Sequence, residues 1–205
     1  MSSLSAGSKE EAVKNIQLKQ WLAITLLFGC STIAGAAEVE GVKLPDTLRL
    51  EGGPELVLNG AGVRTRLVFR VYVGALYVTR KSNSAAAIIG DPGPKRIVLH
   101  MLRELSADQL AGALEDGLKA NHTADELAKL DARVKQLRAI FDALKVAKSG
   151  DAIHIDYTAA AGTRIAVNGT AQGAIAGEDF HRALLRIWLG DRPADADLKR
   201  GLLGS

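Results

Sequence analysis

Apolar and polar positions divide the chain into two strand-rich stretches, each followed by two helical segments. The longest apolar run is Asn59–Val78, NGAGVRTRLVFRVYVGALYV, which opens on small residues and carries Arg64 just past the glycines. Near-continuous Val, Leu, Phe and Tyr predict a single strand covered on both faces. Gly60 and Gly62 predict a turn through which the backbone enters it. Upstream, Gly41–Leu50 and Glu55–Leu58 flank the turn cluster Glu51-Gly52-Gly53-Pro54 and predict a hairpin. Downstream, Ser84–Ile89 predicts a single helical turn, and Gly90–Pro94 breaks the chain. Lys95–Arg103 predicts a strand with Ile97, Leu99 and Met101 on one face and Val98, His100 and Leu102 on the other.

The period then changes. Ser106 with Gln109, and Thr123 with Glu126, have capping-box spacing and predict two helix starts. The first helix runs to about Ala120. In the second, Leu127, Leu130, Val134, Leu137, Phe141 and Leu144 step by three and four into one apolar stripe. Alternation returns over Asp151–Thr158. Thr163–Val167 and Thr170–Ile175 flank Asn168-Gly169, the strongest short hairpin signal. Glu178–Leu189 predicts a helix stopped by Gly190-Asp191-Arg192-Pro193, and Asp195–Leu203 a short terminal one. Strands, helices, strands, helices, without βαβα alternation, predict an α+β fold: a large antiparallel β-sheet with a layer of α-helices on one face.

Composition narrows the class. The 205 residues, 47% hydrophobic and 24% charged, suit one domain with its own core. A net charge of only +3, interspersed signs and 4% aromatics argue against nucleic acid as a partner. Lys9, Lys14 and Lys19 precede an apolar run, Trp21–Ile33, that ends in Ala34-Gly35-Ala36. This predicts a signal peptide over residues 1–36 and a periplasmic or secreted domain over 37–205. An uncleaved anchor, or lipid attachment at Cys30, are the alternatives and the expected routes of membrane contact. Cys30 is the one cysteine, so the mature domain would lack disulfides and thiol chemistry.

No two of the four histidines have metal-ligand spacing, and no nucleotide or nucleophile motif is present, so neither metal nor cofactor is expected. Asn59–Gly62 is glycine-rich but precedes a strand, not the helix N-terminus that cradles phosphate. His100 reads as a core histidine, and Trp188 with Leu184, Leu185 and Ile187 as core or pocket wall. Arg64, Tyr72 and Tyr77 remain. An arginine and a tyrosine hydroxyl can clamp a carboxylate; equally, the arginine can pair with a neighbouring acid while the tyrosines fill the core.

Three stretches, NGAGVRTR…RVYVGALYV, HMLRELSADQL and FHRALLRIWLGDRPADADLKRGLLG, together resemble the chalcone isomerase-like superfamily, and most of all its small exported bacterial branch. The resemblance runs from Gly41 to Gly204. It implies a chalcone isomerase-like open-faced sandwich with a ligand cleft between sheet and helices. It also implies that Arg64 falls on the arginine of the plant enzyme, whereas that enzyme's other polar residues fall on Tyr72, Leu110, near Gly117, and around His181 and Arg182. The fatty-acid-binding branch keeps the arginine and adds a tyrosine in a segment that Arg70-Val71-Tyr72 resembles. Along one straight strand Arg64 and Tyr72 would stand about 26 Å apart; a joint grip needs a reversal between them, and Thr65–Leu67 has no Gly or Pro to announce one.

Three readings follow. In the first, a non-catalytic protein binds a fatty acid or similar small amphipathic carboxylate through Arg64 and Tyr72, with its tail among Leu110, Leu114, Leu184 and Trp188. In the second, a chalcone-type isomerase uses Arg64 to stabilise developing negative charge. In the third, an envelope structural or interaction module has its cleft closed by side chains and Arg64 ion-paired inside the protein.

Overall fold

The computed structural model describes residues 36–205. The predicted signal peptide and Cys30 lie outside the described residues, apart from Ala36, which opens the first strand. In chain order the strands are β1 (Ala36–Val39), β2 (Val42–Pro45), β3 (Thr47–Arg49), β4 (Glu55–Arg66), β5 (Phe69–Val78), β6 (Lys95–Met101), β7 (Leu105–Ser106), β8 (Val146–Ala147), β9 (Ala152–Thr158), β10 (Gly162–Val167) and β11 (Thr170–Ile175). The helices are α1 (Ala85–Gly90), α2 (Ala107–Asn121), α3 (Ala124–Leu144), α4 (Glu178–Leu189) and α5 (Ala196–Leu202). Seven strands form one antiparallel sheet in the order β11-β10-β9-β6-β5-β4-β3. The α+β class and the helix layer are those the hydrophobic pattern predicts.

Both capping boxes form. Ser106 Oγ accepts from Gln109 N–H at 3.2 Å while Gln109 Oε1 accepts from Ser106 N–H at 2.9 Å. Thr123 and Glu126 make the same reciprocal pair at 3.3 and 2.8 Å. Asn168 and Gly169 both take positive φ, 50° and 81°, and turn β10 into β11.

The sheet carries apolar side chains on both faces. Leu76, Ile97, Leu99, Ile153, Ile155 and Ile165 pack beneath the helices against Leu114, Leu118, Leu137, Phe141, Leu184 and Trp188. On the opposite face Leu56, Val73, Ala75, Tyr77 and Val98 pack with Leu44 of β2 and with Leu50. From Tyr72 onward successive residues of β5 thus point to opposite cores, and Tyr77 lies on the face away from the helices. Burial there pushes its phenol up to about 12, against the pull of Arg96. Tyr72 and Tyr77 therefore cannot serve one site.

The stretch read as a single strand is two. β4 runs through the small residues and ends at Arg66; Leu67 and Val68 reverse the chain, with Leu67 at φ 58°, and β5 returns. A leucine in the left-handed region is uncommon, and the usual Asn or Gly signal is missing, which is why composition conceals this turn.

Asn59–Gly62, read as a turn, lies within β4. Leu58 pairs with Tyr77 but Gly60 with Leu76, so Asn59 is the extra residue of a β-bulge. Both ends of its amide are held: Nδ2 donates to Leu202 O at 2.7 Å, and Oδ1 accepts from Ser82 N–H at 2.7 Å. Gly60 and Gly62 serve close approach by α5, not backbone freedom. A Cβ on Gly60 would stand 2.2 Å from Gly201 O, and one on Gly62 3.3 Å from Leu198 Cα.

Gly60→Ala should therefore lower the free energy of unfolding by at least about 2 kcal/mol in urea titrations. Gly112→Ala, in α2 with no atom within 4 Å of the added Cβ, should raise it by about 1 kcal/mol. Equal effects at the two positions would contradict the close-approach role of Gly60.

Candidate ligand site at Arg64

The Asn59 bulge decides where Arg64 points. Before it, Leu56 and Leu58 face the second core; after it, Ala61 and Val63 do, so Gly60, Gly62 and Arg64 turn to the helix side. A second irregularity follows. Arg64 pairs with Tyr72 but Thr65 with Arg70, leaving Val71 as the extra residue of β5. Val71 and Tyr72, though consecutive, both join the helix-side core. The reversal at Leu67-Val68 thus makes Arg64 and Tyr72 direct cross-strand neighbours.

The Arg64 guanidinium carbon lies 5.6 Å from the centroid of the Tyr72 ring. Its Nε is sealed from solvent without a hydrogen-bond acceptor, and among the described residues Arg64 makes no ion pair. Asp195, the N-cap of α5, is spent on backbone amides: it accepts from Thr65 N–H at 2.8 Å, Asp197 N–H at 2.8 Å and Leu198 N–H at 3.0 Å. Burial raises the Asp195 carboxyl, but those donors and the charge of Arg64 outweigh it and hold it below the usual range.

Tyr72 is 2% exposed, and its hydroxyl accepts from Trp188 Nε1 at 2.8 Å. Burial pushes its phenol up, with Arg64 and the Trp188 hydrogen bond pulling the other way, so it remains a neutral hydroxyl. Tyr72 is the floor under the guanidinium, and Trp188 fixes that floor.

Arg64 lines two cavities that share Arg66, Gln109 and Ala113. One, of about 270 Å³, is walled by Leu67, Phe69, Val71, Arg103 and Leu105. The other, of about 450 Å³, runs along Asp108, Gly112, Asp116 and Gly117 of α2 toward Ala194. The first sets a cationic anchor beside an apolar wall; the second is more polar, with Asp108 and Asp116 among its lining.

Of the residues anticipated for the site, Arg64 and Tyr72 meet. Leu110, Leu114, Leu184 and Trp188, at 5%, 6%, 1% and 1% exposure, are packed in the core and line neither cavity. The apolar lining comes instead from Leu67, Phe69, Val71, Leu105 and Ala113. Reading Asn59–Val78 as one strand buries Leu67 and Phe69 and so conceals them. Among the positions matching the plant enzyme's other polar residues, Tyr72 meets Arg64, whereas Leu110, Gly117, His181 and Arg182 supply no polar group to it. Leu110 is core, and a Cβ on Gly117 would already stand 2.6 Å from the Ile187 side chain. His181, 2% exposed, stacks on Tyr157 at 4.4 Å, with Nδ1 3.4 Å from Thr163 Oγ1 and Nε2 unpartnered. Arg182 reaches Gly90 O and Glu178.

A chalcone isomerase-like family model matches residues 36–204. The chain belongs to the chalcone isomerase-like family. No curated protein matches it in sequence. The crystal structure of a fatty-acid binding protein from Arabidopsis thaliana is similar in fold, with a TM-score of 0.62 at 15% identity, covering 82% of this chain and 96% of that one.

His181 generates a pH prediction. Desolvation, with the charge of Lys95, depresses its imidazole to about 3. Unfolded, it titrates near 6.5, so its neutral form stabilises the fold above that pH, and the contribution is lost as pH falls toward about 3. His181→Phe, which keeps the stack on Tyr157, should flatten the fall in unfolding free energy over that window. An unchanged acid limb would contradict the assignment.

Proposed function

We propose that this protein is a non-catalytic binder of a fatty acid or similar small amphipathic carboxylate, held at Arg64. The observation that carries the reading is the arginine itself, packed on a buried tyrosine, sealed at Nε, without an ion pair among the described residues and lining two cavities. A partly desolvated guanidinium without a directly paired carboxylate is costly, and a bound carboxylate would supply that pair in a charge-assisted, bidentate geometry.

The carboxylate would sit at Arg64 above the Tyr72 ring. Its tail would run past Val71, Leu105 and Ala113 toward Leu67 and Phe69. The cavity volumes, about 270 and 450 Å³, span the lower end of small-ligand sites. A similar fold in a fatty-acid binding protein supports the same ligand class. The structural-module reading requires an ion-paired Arg64, and Arg64 makes no ion pair among the described residues; the isomerase reading places its substrate at the same arginine, and chalcone turnover lost in Arg64→Ala would favour it over binding alone.

Native mass spectrometry of the protein purified without detergent should show a fatty-acid adduct, absent in Arg64→Ala. In titration with laurate, Arg64→Ala should weaken binding by about tenfold to a hundredfold, the span of a charged hydrogen bond, and Arg64→Lys by less. Bare protein in all samples, with no saturable laurate binding, would overturn the proposal.

A further inference from the structure

The turn joining β4 to β5 exposes its apolar side chains. Leu67 is 89% exposed, Val68 84% and Phe69 54%, and they are the exposed large hydrophobic residues among those described. Three consecutive apolar residues at the tip of a hairpin are a poor choice for water. Asn-Gly, used here at Asn168-Gly169, would turn the chain with less strain and no apolar cost. Apolar tips of this kind mark an interaction surface.

The chemistry around the tip selects the partner. Arg66, Arg70 and Arg103 are exposed beside it. The Arg103 guanidinium carbon lies 4.7 Å from the Phe69 ring centroid, so the cation sits on the side of the apolar tip. Arg70 pairs with Glu40, whereas Arg66 and Arg103 make no ion pair among the described residues. An apolar wedge collared by free guanidinium groups complements a bilayer surface with anionic headgroups, where side chains can enter the acyl boundary while arginines stay at phosphate level. Leu67 and Phe69 are also walls of the Arg64 cavity, so the tip that would enter the bilayer borders the channel proposed for the acyl tail.

We infer that the Leu67-Val68-Phe69 tip docks this protein on anionic membrane surfaces and that ligand passes between the bilayer and the Arg64 cavity along it. The transfer step rests on the proposed carboxylate binding; the docking step does not. Membrane contact would then have a route besides the N-terminal segment.

Docking can be read at the tip in the full chain. In a Cys30→Ser background, an environment-sensitive fluorophore is placed at Val68→Cys or, at the β9–β10 turn on the opposite end of the sheet, at Ala160→Cys. With phosphatidylglycerol–phosphatidylcholine vesicles the label at position 68 should shift to the blue and the label at 160 should not. Phosphatidylcholine vesicles or high salt should abolish the shift. An N-terminal anchor alone would leave the label at 68 in water. No shift at 68, equal shifts at both positions, or a shift traced by light scattering to pairing of two copies through the tip would each overturn the inference.

Val68 lines neither cavity, which separates the two steps. Val68→Asp should weaken vesicle binding by about tenfold, leave laurate binding from solution unchanged and slow laurate uptake from vesicles. Normal vesicle uptake in that variant would overturn the transfer step; absence of laurate binding in every variant would overturn the ligand proposal and leave the docking result standing.

Discussion

The site depends on one β-bulge. The side chains of β4 change faces at Asn59, and the amide that holds the bulge is tied to the end of α5 on one side and to Ser82 on the other. Regular alternation through Asn59, with no bulge, would send Arg64 into the face built from Leu56, Val73 and Tyr77, away from the helices. The same bulge aligns Gly60 and Gly62 beneath α5, whose Gly201 lies too close for a side chain on Gly60. Bulge, glycines and terminal helix are one device for aiming one arginine.

A guanidinium aimed inward must be paid for in desolvation. Here the support is lateral: the Tyr72 ring lies beneath it, and Trp188 fixes the Tyr72 hydroxyl from α4. Asp195, the nearby acid, is committed to the amides of Thr65, Asp197 and Leu198. The charge is thus held in position without a direct ion pair among the described residues, which suits a site whose counter-ion arrives with the ligand. Preorganisation of this kind lowers the ordering cost of binding.

Local chemistry made most of the fold legible. Both capping boxes, the Asn168-Gly169 turn and the alternation of Ile153, Ile155 and Tyr157 act within a few residues, and each forms where the pattern places it. The organising hairpin did not announce itself, because Leu67 takes a left-handed conformation that leucine rarely adopts, stabilised by the strands on either side. The glycines misled for a related reason: close approach by α5 is a long-range contact with no local signature. Arg64 and Tyr72 were readable as a pair through resemblance, while the channel beside them was not. Its walls are the very tip residues that a continuous strand would have buried, and the leucines of α2 and α4 anticipated in their place fill the core.

The central claim is that the Arg64 guanidinium, without an ion pair among the described residues, acquires one from a carboxylate. The direct measurement is the Arg64 Nε–Hε resonance in a ¹⁵N-labelled sample, assigned by its loss in Arg64→Lys and followed during titration with laurate. The account predicts a saturable shift of that resonance in step with binding. Laurate binding that perturbs other resonances and leaves Arg64 unchanged would contradict it.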